Sequence, residues 1–121
     1  MRTIRVEDIL GGTTSMADDI NGTPIDISHL NNVAVHLVWT GTPTGTWRLQ
    51  VSNDKVPAGV DKNSIAYSNL TWIDADTQAG GGAAGSKLFT LTNTGAKWVT
   101  VMWDDTSGTG TVTTATMHAK G

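Results

Sequence analysis

The sequence predicts an all-β fold: a single antiparallel β-sandwich or jelly-roll-like domain with an extended N-terminal arm. From residue 32 onward apolar side chains recur at every second position, which is the period of a strand with one buried face. These segments are rich in Thr, Val, Ile and Trp, whose branched or aromatic side chains suit a pleated sheet. Turns rich in Gly, Asn and Thr separate them at short intervals. A chain of 121 residues fits one domain, which we divide into the arm, residues 1–31, and the sandwich, residues 32–121.

The strongest strand signal covers residues 33–40, where the odd-numbered residues are apolar and share one face. After a turn over residues 41–45, residues 47–52 alternate in the same way, so we expect these two strands to pair as a hairpin. Residues 98–103 and 111–118, joined by a Gly-Thr-rich loop, repeat this plan and predict a second hairpin.

Between the two predicted hairpins the sequence is more polar. We expect a long loop over residues 53–69, a short strand over residues 70–74 and another strand over residues 87–92. Residues 4–10 are compatible with a strand or a single helical turn, and Asn21-Gly22 is a hairpin-turn dipeptide. We therefore expect the arm to contribute one or two edge strands and to lie outside the central core.

Composition excludes several classes of function. The chain has no cysteine, so it has neither disulfides nor thiolate metal ligands nor a cysteine nucleophile. Its formal charge of −3 argues against nucleic acid as the main partner, because phosphate binding requires clustered positive charge. No segment approaches the roughly 20 apolar residues of a membrane span. The first residues lack the apolar segment of a secretory signal, so we expect synthesis in a cytoplasm.

No group of residues in the sequence matches a known catalytic pattern. The chain has one glutamate, Glu7, and it lacks both a nucleophile elbow and a phosphate-binding loop. We therefore expect no enzymatic activity, no catalytic residue and no cofactor. The densest acidic positions are weak candidates for a metal site and are equally explained as solvated strand ends. They are Asp74, Asp76, Asp104 and Asp105.

The five tryptophans are the most informative side chains. Trp39 is in phase with the apolar residues of its strand and is predicted to lie in the core. Trp98 and Trp103 fall on opposite faces of one strand, which suggests that the second face contacts another subunit or a ligand. We favour the subunit, because Trp is enriched at interfaces. The candidate interface joins this strand to the arm and comprises Ile4, Val6, Ile9, Trp98 and Trp103.

A second interpretation of the tryptophans is carbohydrate binding. Trp47 and Trp72 lie near strand ends, where an exposed indole can stack on a sugar ring. The alternative for both is that they fill the space between two sheets.

Several short segments occur in a fixed order along the chain. Residues 38–46 read V-W-T-G-T-P-T-G-T and residues 49–54 read L-Q-V-S-N-D; T-W-I-D, K-W-V-T-V and T-S-G-T-G-T-V-T follow, before a terminal A-K-G. Together they resemble small β-sandwich virion proteins of bacteriophages. In these, a strand ends in a W-T-G-T-P-x-G-T turn, S-x-D and W-x-D segments follow, and a T-S-G-T-G-T turn precedes the last strand. The resemblance covers residues 32–121.

The resemblance implies a structural role as a capsid, capsid-decoration or tail-associated subunit. Such a subunit would self-associate through its arm and its aromatic-bearing sheet. Its partners would be copies of itself and other virion proteins, and it would reside in the virion after synthesis in the host cytoplasm. The alternative is a carbohydrate- or receptor-binding module of a phage spike or fibre, with a host surface glycan as partner.

Overall fold

A computed structural model of the chain describes residues 4–10, 12–61, 64–92 and 94–121. This part of the chain forms ten strands and one short 3₁₀ turn, Tyr67–Asn69. The strands are β1 (Ile4–Asp8), β2 (Thr14–Ser15), β3 (Ile20–Asn21), β4 (Ile25–Asp26), β5 (Asn32–Gly41), β6 (Thr44–Ser52), β7 (Ile73–Ala79), β8 (Gly85–Leu91), β9 (Trp98–Ser107) and β10 (Gly110–Lys120). No helix in the described ranges is long and apolar enough to cross a membrane.

The strands form two five-stranded antiparallel sheets that pack face to face. Sheet A has the order β1-β10-β5-β8, and β2 also pairs with β10. Sheet B has the order β3-β9-β6-β7, and β4 also pairs with β9. If β1 with β2 and β3 with β4 are each counted as one interrupted strand, this is the eight-stranded order of a jelly roll. The predicted fold class, an antiparallel sandwich of jelly-roll type, is therefore confirmed.

The core lies between the two sheets, where one residue in two along each long strand points inward. In β5 the inward residues are the odd-numbered apolar ones, and all of them are buried. Three indoles fill the centre: the ring centroids of Trp39 and Trp47 are 6.2 Å apart, and those of Trp47 and Trp103 are 5.2 Å apart. Because these rings are tilted by nearly 50° to one another, they fill the space between the sheets at distances favourable for aromatic pairs.

Both predicted hairpins are wrong, because each pair of strands is split between the two sheets. β5 belongs to sheet A and β6 to sheet B, while β9 belongs to sheet B and β10 to sheet A. Each short connection is therefore a crossover between sheets. Alternation of apolar residues shows only that one face of a strand is buried. A strand in the opposite sheet buries that face as well as a neighbour in the same sheet does, so alternation could not identify the partner.

The two crossovers pack against each other at one end of the sandwich. Their backbones are joined by the Thr42 N–H, which donates to the Thr109 carbonyl at 2.8 Å. Gly41 and Gly108 adopt positive φ values of 89° and 79° at these bends, which glycine reaches without strain. A Cβ at Gly108 would lie 2.2 Å from the Thr42 carbonyl oxygen. The glycines of both connections therefore reflect close backbone approach.

The expectation that the arm lies outside the central core is wrong. The described residues of the arm form β1 to β4, and these strands occupy the outer edges of β9 and β10. Without them, two of the longest strands would present unpaired backbone groups at a sheet edge. The arm also supplies apolar side chains that are buried in the core: Ile9, Met16, Ile20, Ile25, Ile27 and Leu30.

The dipeptide Asn21-Gly22, predicted as a hairpin turn, instead lies at the end of β3, where the chain approaches β9. Asn21 ends β3, and the Gly22 N–H donates to the Val101 carbonyl at 2.8 Å. A Cβ at Gly22 would lie 2.6 Å from that carbonyl oxygen, so glycine is needed for the chain to approach β9. Elsewhere the boundaries shift: β9 continues to Ser107 through acidic residues predicted as a loop, and β7 begins only at Ile73.

Candidate functional site

The long loop between β6 and β7, residues 53–72, covers one end of the outer face of sheet B. Ser52 pairs with Trp98 and Gln50 with Thr100 on this face, and all four residues are buried although they point away from the core. The Asp54 carboxylate closes the loop by accepting the Thr71 N–H. The Asp54 carbonyl oxygen accepts the indole N–H of Trp98 at 3.2 Å. The second aromatic face of β9 is therefore covered by the chain's own loop.

Beyond the loop, the same face carries a row of hydrogen-bonded polar side chains that crosses three strands. We call Arg48, Gln50, Asp74 and Asp104 the polar strip. Arg48 donates from Nη1 to Asp74 Oδ2 at 2.6 Å and from Nη2 to Asp104 Oδ2 at 3.1 Å. Gln50 Nε2 donates to Asp74 Oδ1 at 2.9 Å. Because each amide and guanidinium contact fixes its neighbour, the strip presents its remaining oxygens in set positions.

The charges of the polar strip are stabilised by these contacts. The hydrogen bond from Gln50 lowers the pKa of Asp74 despite partial burial, and Arg48 lowers it further. The hydrogen bonds to Asp74 and Asp104 raise the pKa of Arg48. Asp74 and Arg48 are therefore both charged at neutral pH.

Two aromatic rings stand beside the polar strip. Tyr67 and Trp72 stack with a centroid distance of 5.4 Å and an interplanar angle of 13°, and we call them the aromatic pair. Trp72 donates its indole N–H to the Tyr67 carbonyl at 2.8 Å. Tyr67 donates its hydroxyl to Gln50 Oε1, and burial raises the pKa of this phenol. Both rings are half-buried, so the pair places partly exposed aromatic surface next to fixed hydrogen-bonding groups.

The structure does not bring the predicted interface residues together on one surface. Trp103 and Ile9 are fully buried in the core, and Trp98 is only 4% exposed beneath the loop, so these three side chains have no surface to offer a second subunit. Val6 is 61% exposed, on the outer face of sheet A. Ile4 lies in β1, and its side chain is outside the described part of the structure.

The two tryptophans proposed to stack on sugar have different positions. Trp47 is fully buried between Trp39 and Trp103, so it has no ring face for a ligand. Trp72 belongs to the aromatic pair. Sequence reasoning missed Tyr67, the chain's one tyrosine, because it lies in a loop without periodicity. Arg48 and Gln50 could have been placed on an outer face, since they alternate with the apolar residues of β6.

Three of the four carboxylates considered for a metal are engaged in other contacts. Asp74 and Asp104 both accept from Arg48, and Asp76 accepts the Thr77 N–H. Asp105 differs: its backbone N–H donates to Asp19 Oδ1 at 2.8 Å, while its own carboxylate Oδ1 is buried without a hydrogen-bond partner among the described residues. Within the described ranges, no three His, Asp or Glu side chains are grouped so that they could hold a metal ion.

Comparisons with known proteins identify related folds. No protein-family model matches the sequence, and no curated protein matches it. Among solved structures, the chain is similar to the SPBc2 prophage-derived protein YomS, with a TM-score of 0.55, 9% identity, and coverage of 100% of this chain and 96% of the other.

Two further similar structures come from bacteria. One is chitosan-binding module 1 of a chitosanase/glucanase from Paenibacillus sp. IK-5, with a TM-score of 0.55, 17% identity, and coverage of 99% and 94%. The other is the K1 cleaved adhesin domain of Lys-gingipain from Porphyromonas gingivalis W83, with a TM-score of 0.50, 10% identity, and coverage of 96% and 97%. At these identities the similarity shows that the β-sandwich fold is shared.

Proposed function

We propose that the chain is a non-catalytic carbohydrate-binding β-sandwich module, with its site on the outer face of sheet B. The observation that carries this proposal is the aromatic pair beside the polar strip. An aromatic ring contacts the apolar C–H face of a sugar, while neighbouring charged and amide groups bind its hydroxyls. The proposal is supported by the similarity in fold to a chitosan-binding module.

Each part of the site has a distinct role in this proposal. Trp72 provides the stacking surface, and Tyr67 supports it from the other side of the stack. Asp74 and Asp104 accept hydrogen bonds from sugar hydroxyls through the lone pairs that Arg48 and Gln50 leave unused. Since Arg48 already holds both carboxylates in position, the site needs little reorganisation on binding.

Glycan-array screening followed by calorimetry on the best ligand tests this function. We expect Trp72→Ala to weaken binding at least tenfold, equivalent to about 1.4 kcal/mol, because the stacking surface is lost. The matched control is Ile73→Ala, which removes the adjacent exposed apolar side chain and leaves the aromatic pair intact. Absence of any glycan binding by the folded protein would contradict the proposal, as would unchanged affinity in the Trp72 variant.

A second candidate function is a phage structural subunit of capsid, decoration or tail-associated type. It is favoured by the similarity to a prophage-derived protein over nearly the whole of both chains. With Trp98 and Trp103 buried, self-association would use the outer face of sheet A, where Val6 and Leu88 are both more than half exposed. A receptor-binding module of a phage spike or fibre would combine the two functions, carbohydrate binding and assembly into the virion.

Light scattering on the purified protein tests the structural candidate. A mass several times that of the monomer is expected, and Val6→Lys should reduce it by placing a charge on the contact face. A strictly monomeric protein at high concentration, with or without the substitution, would contradict this candidate.

A further inference from the structure

A cleft of about 490 Å³ opens where the edge strands of the two sheets approach each other. Arg5 and Glu7 of β1 line one side, and Asp26 of β4 lines the other. Trp98, the first residue of β9, and Lys97, which precedes it, are also part of its lining. Its volume lies within the roughly 300–1,000 Å³ typical of small-molecule sites.

The cleft is held in shape by contacts between segments that are remote in sequence. Arg5 Nη1 donates to the Asp26 carbonyl at 2.9 Å and so joins the edges of the two sheets. The Lys97 carbonyl accepts the Ile27 N–H at 2.7 Å, and the Lys97 N–H donates to Asn53 Oδ1 at 2.7 Å. Because these hydrogen bonds hold the backbone on both sides of Lys97, its side chain projects into the cleft from a fixed backbone position.

Lys97 carries a positive charge that is close enough to the Asp26 carboxylate to help lower the pKa of that group, without forming a salt bridge with it. Its ammonium lies 5.8 Å from the centroid of the Trp98 ring, and it forms no ion pair with any residue that the structure describes. The carboxylates of the cleft are already engaged: Glu7 accepts from Arg5 at 3.0 Å, and Asp26 accepts the Ser28 N–H at 2.9 Å. An anionic group that enters the cleft would therefore meet Lys97 as its partner.

The remaining lining suits the rest of such a ligand. Val56 and Ile65, from the loop of residues 53–72, give the cleft an apolar wall. The carboxylates of Asp26 and Glu7 keep unused lone pairs that accept hydrogen bonds from hydroxyl groups. The same two carboxylates repel a ligand with several negative charges, so the cleft favours one anionic group on a body rich in hydroxyls.

We infer that this cleft is a subsite for a carboxylate-bearing sugar residue, such as a uronic acid. The carboxylate pairs with Lys97, the hydroxyls donate to Asp26 and Glu7, and the C–H surface contacts the apolar wall. This inference rests on the proposed carbohydrate-binding function, and it places the cleft at the loop-covered end of the face that carries the polar strip. Trp98 pairs with Ser52, two residues along β6 from Gln50.

The test is an NMR titration of the ¹⁵N-labelled full chain, with the indole N–H of Trp98 as the reporter. The ligands are D-glucuronate, D-glucose and acetate at matched ionic strength. We expect glucuronate to shift the Trp98 signal at concentrations at least tenfold lower than glucose or acetate. Lys97→Gln should abolish this preference, and Lys97→Arg should keep it. The matched control is Lys87→Gln, because Lys87 lies over Phe89 at 5.6 Å in sheet A, in the same kind of contact.

Each other outcome overturns the inference. Equal binding of glucose or acetate, or unchanged glucuronate binding in Lys97→Gln, would show that the cleft does not recognise an acidic sugar. Stronger binding of an acetylated dipeptide with a free carboxylate would make it a peptide site. If glycans bind in a manner that depends on Trp72 but not on Lys97, the cleft is rejected and the proposed function remains. If no sugar binds to either site, both fail.

Discussion

Three indoles in the core, those of Trp39, Trp47 and Trp103, differ in what their N–H groups contact. Trp39 Nε1 donates to the Ala83 carbonyl at 3.0 Å, and Trp103 Nε1 donates to the Met16 carbonyl at 3.2 Å. Trp47 Nε1 is buried and has no acceptor among the described residues. A buried donor without a partner destabilises the native state, so the three tryptophans contribute unequally to stability.

Replacing these tryptophans by phenylalanine should reveal that difference. Both Trp47→Phe and Trp103→Phe leave a small cavity, but only Trp103→Phe leaves the buried Met16 carbonyl without its donor. We expect Trp103→Phe to lower the free energy of unfolding by about 1 kcal/mol more than Trp47→Phe. Urea unfolding of both variants measures this. A larger loss in Trp47→Phe would show that its N–H is satisfied in the native state.

Asp74 makes stability depend on acidity. Its pKa is lower in the folded protein than in the unfolded chain, so the unfolded state takes up the proton first as the pH falls. This contribution is complete above the ordinary carboxyl range near pH 4 and is lost as the pH falls through the folded pKa. Asp26, whose pKa is also lowered because hydrogen bonds from Ser28 outweigh its burial, acts in the same direction.

We therefore expect the melting temperature to fall between pH 5 and pH 3, and to fall less in Asp74→Asn than in the original protein. The control is Asp76→Asn in the same strand, whose carboxylate accepts the adjacent Thr77 N–H and no other donor among the residues that the structure describes. Calorimetric scans at several pH values measure both. An equal acid dependence in Asp74→Asn and the original protein would be evidence against this role of Asp74.

The crossovers between sheets are the elements that define this sandwich. They join β5 to β6 and β9 to β10, and each bends through a glycine with positive φ. Gly108 and Gly59 share that conformation, with φ values of 79° and 81°, but only Gly108 has a backbone atom in the space where a Cβ would lie. Comparing the two glycines separates the effect of conformation from the effect of contact.

Gly59→Ala should lower the free energy of unfolding by about 1–2 kcal/mol, because alanine disfavours positive φ. Gly108→Ala should lower it by about 1–3 kcal/mol more, because the new methyl group also meets the Thr42 carbonyl. Thermal unfolding of the two variants measures the difference. Equal losses would show that the crossovers can move apart without cost.

Sequence periodicity predicted which side of each long strand is buried, but it could not predict the partner of each strand. The inward residues of β5 and β6 face each other across the core, and the same alternation would suit two neighbouring strands of one sheet. In the arm, strands of two residues are too short to show any period, which hid the burial of Ile20 and Ile25. Trp72 was predictable from its residue type. The stack with Tyr67 was not, because it depends on how an irregular loop folds back.

At the scale of the whole molecule, the arm completes both sheets. β1 and β2 line the edge of β10, and β3 and β4 line the edge of β9, so one segment of chain closes the same side of the sandwich twice. Arg5 then connects the two edges through the Asp26 carbonyl. The arm is therefore part of the folding unit, because without it the sandwich of residues 32–121 lacks the strands that pair with the outer edges of β9 and β10.

Deleting residues 1–31 should prevent cooperative folding. Among the described residues the deletion removes six buried apolar side chains, each contributing about 1.5–3 kcal/mol when fully buried. Their sum, roughly 9–18 kcal/mol, matches or exceeds the usual stability of a domain, about 5–15 kcal/mol. Near-ultraviolet circular dichroism and thermal unfolding measure the result. A folded, cooperatively melting fragment would show that the arm is an independent extension.

The position of β10 has a consequence for how the protein is made. This strand is the last of the ten described strands, yet it lies between β1 and β5 and contacts both along most of their length. Sheet A therefore cannot assemble on the ribosome until the final residues of β10 have left the exit tunnel. During translation the earlier strands keep their apolar faces exposed until β10 has emerged, and we expect the nascent protein to depend on a holding chaperone during that interval.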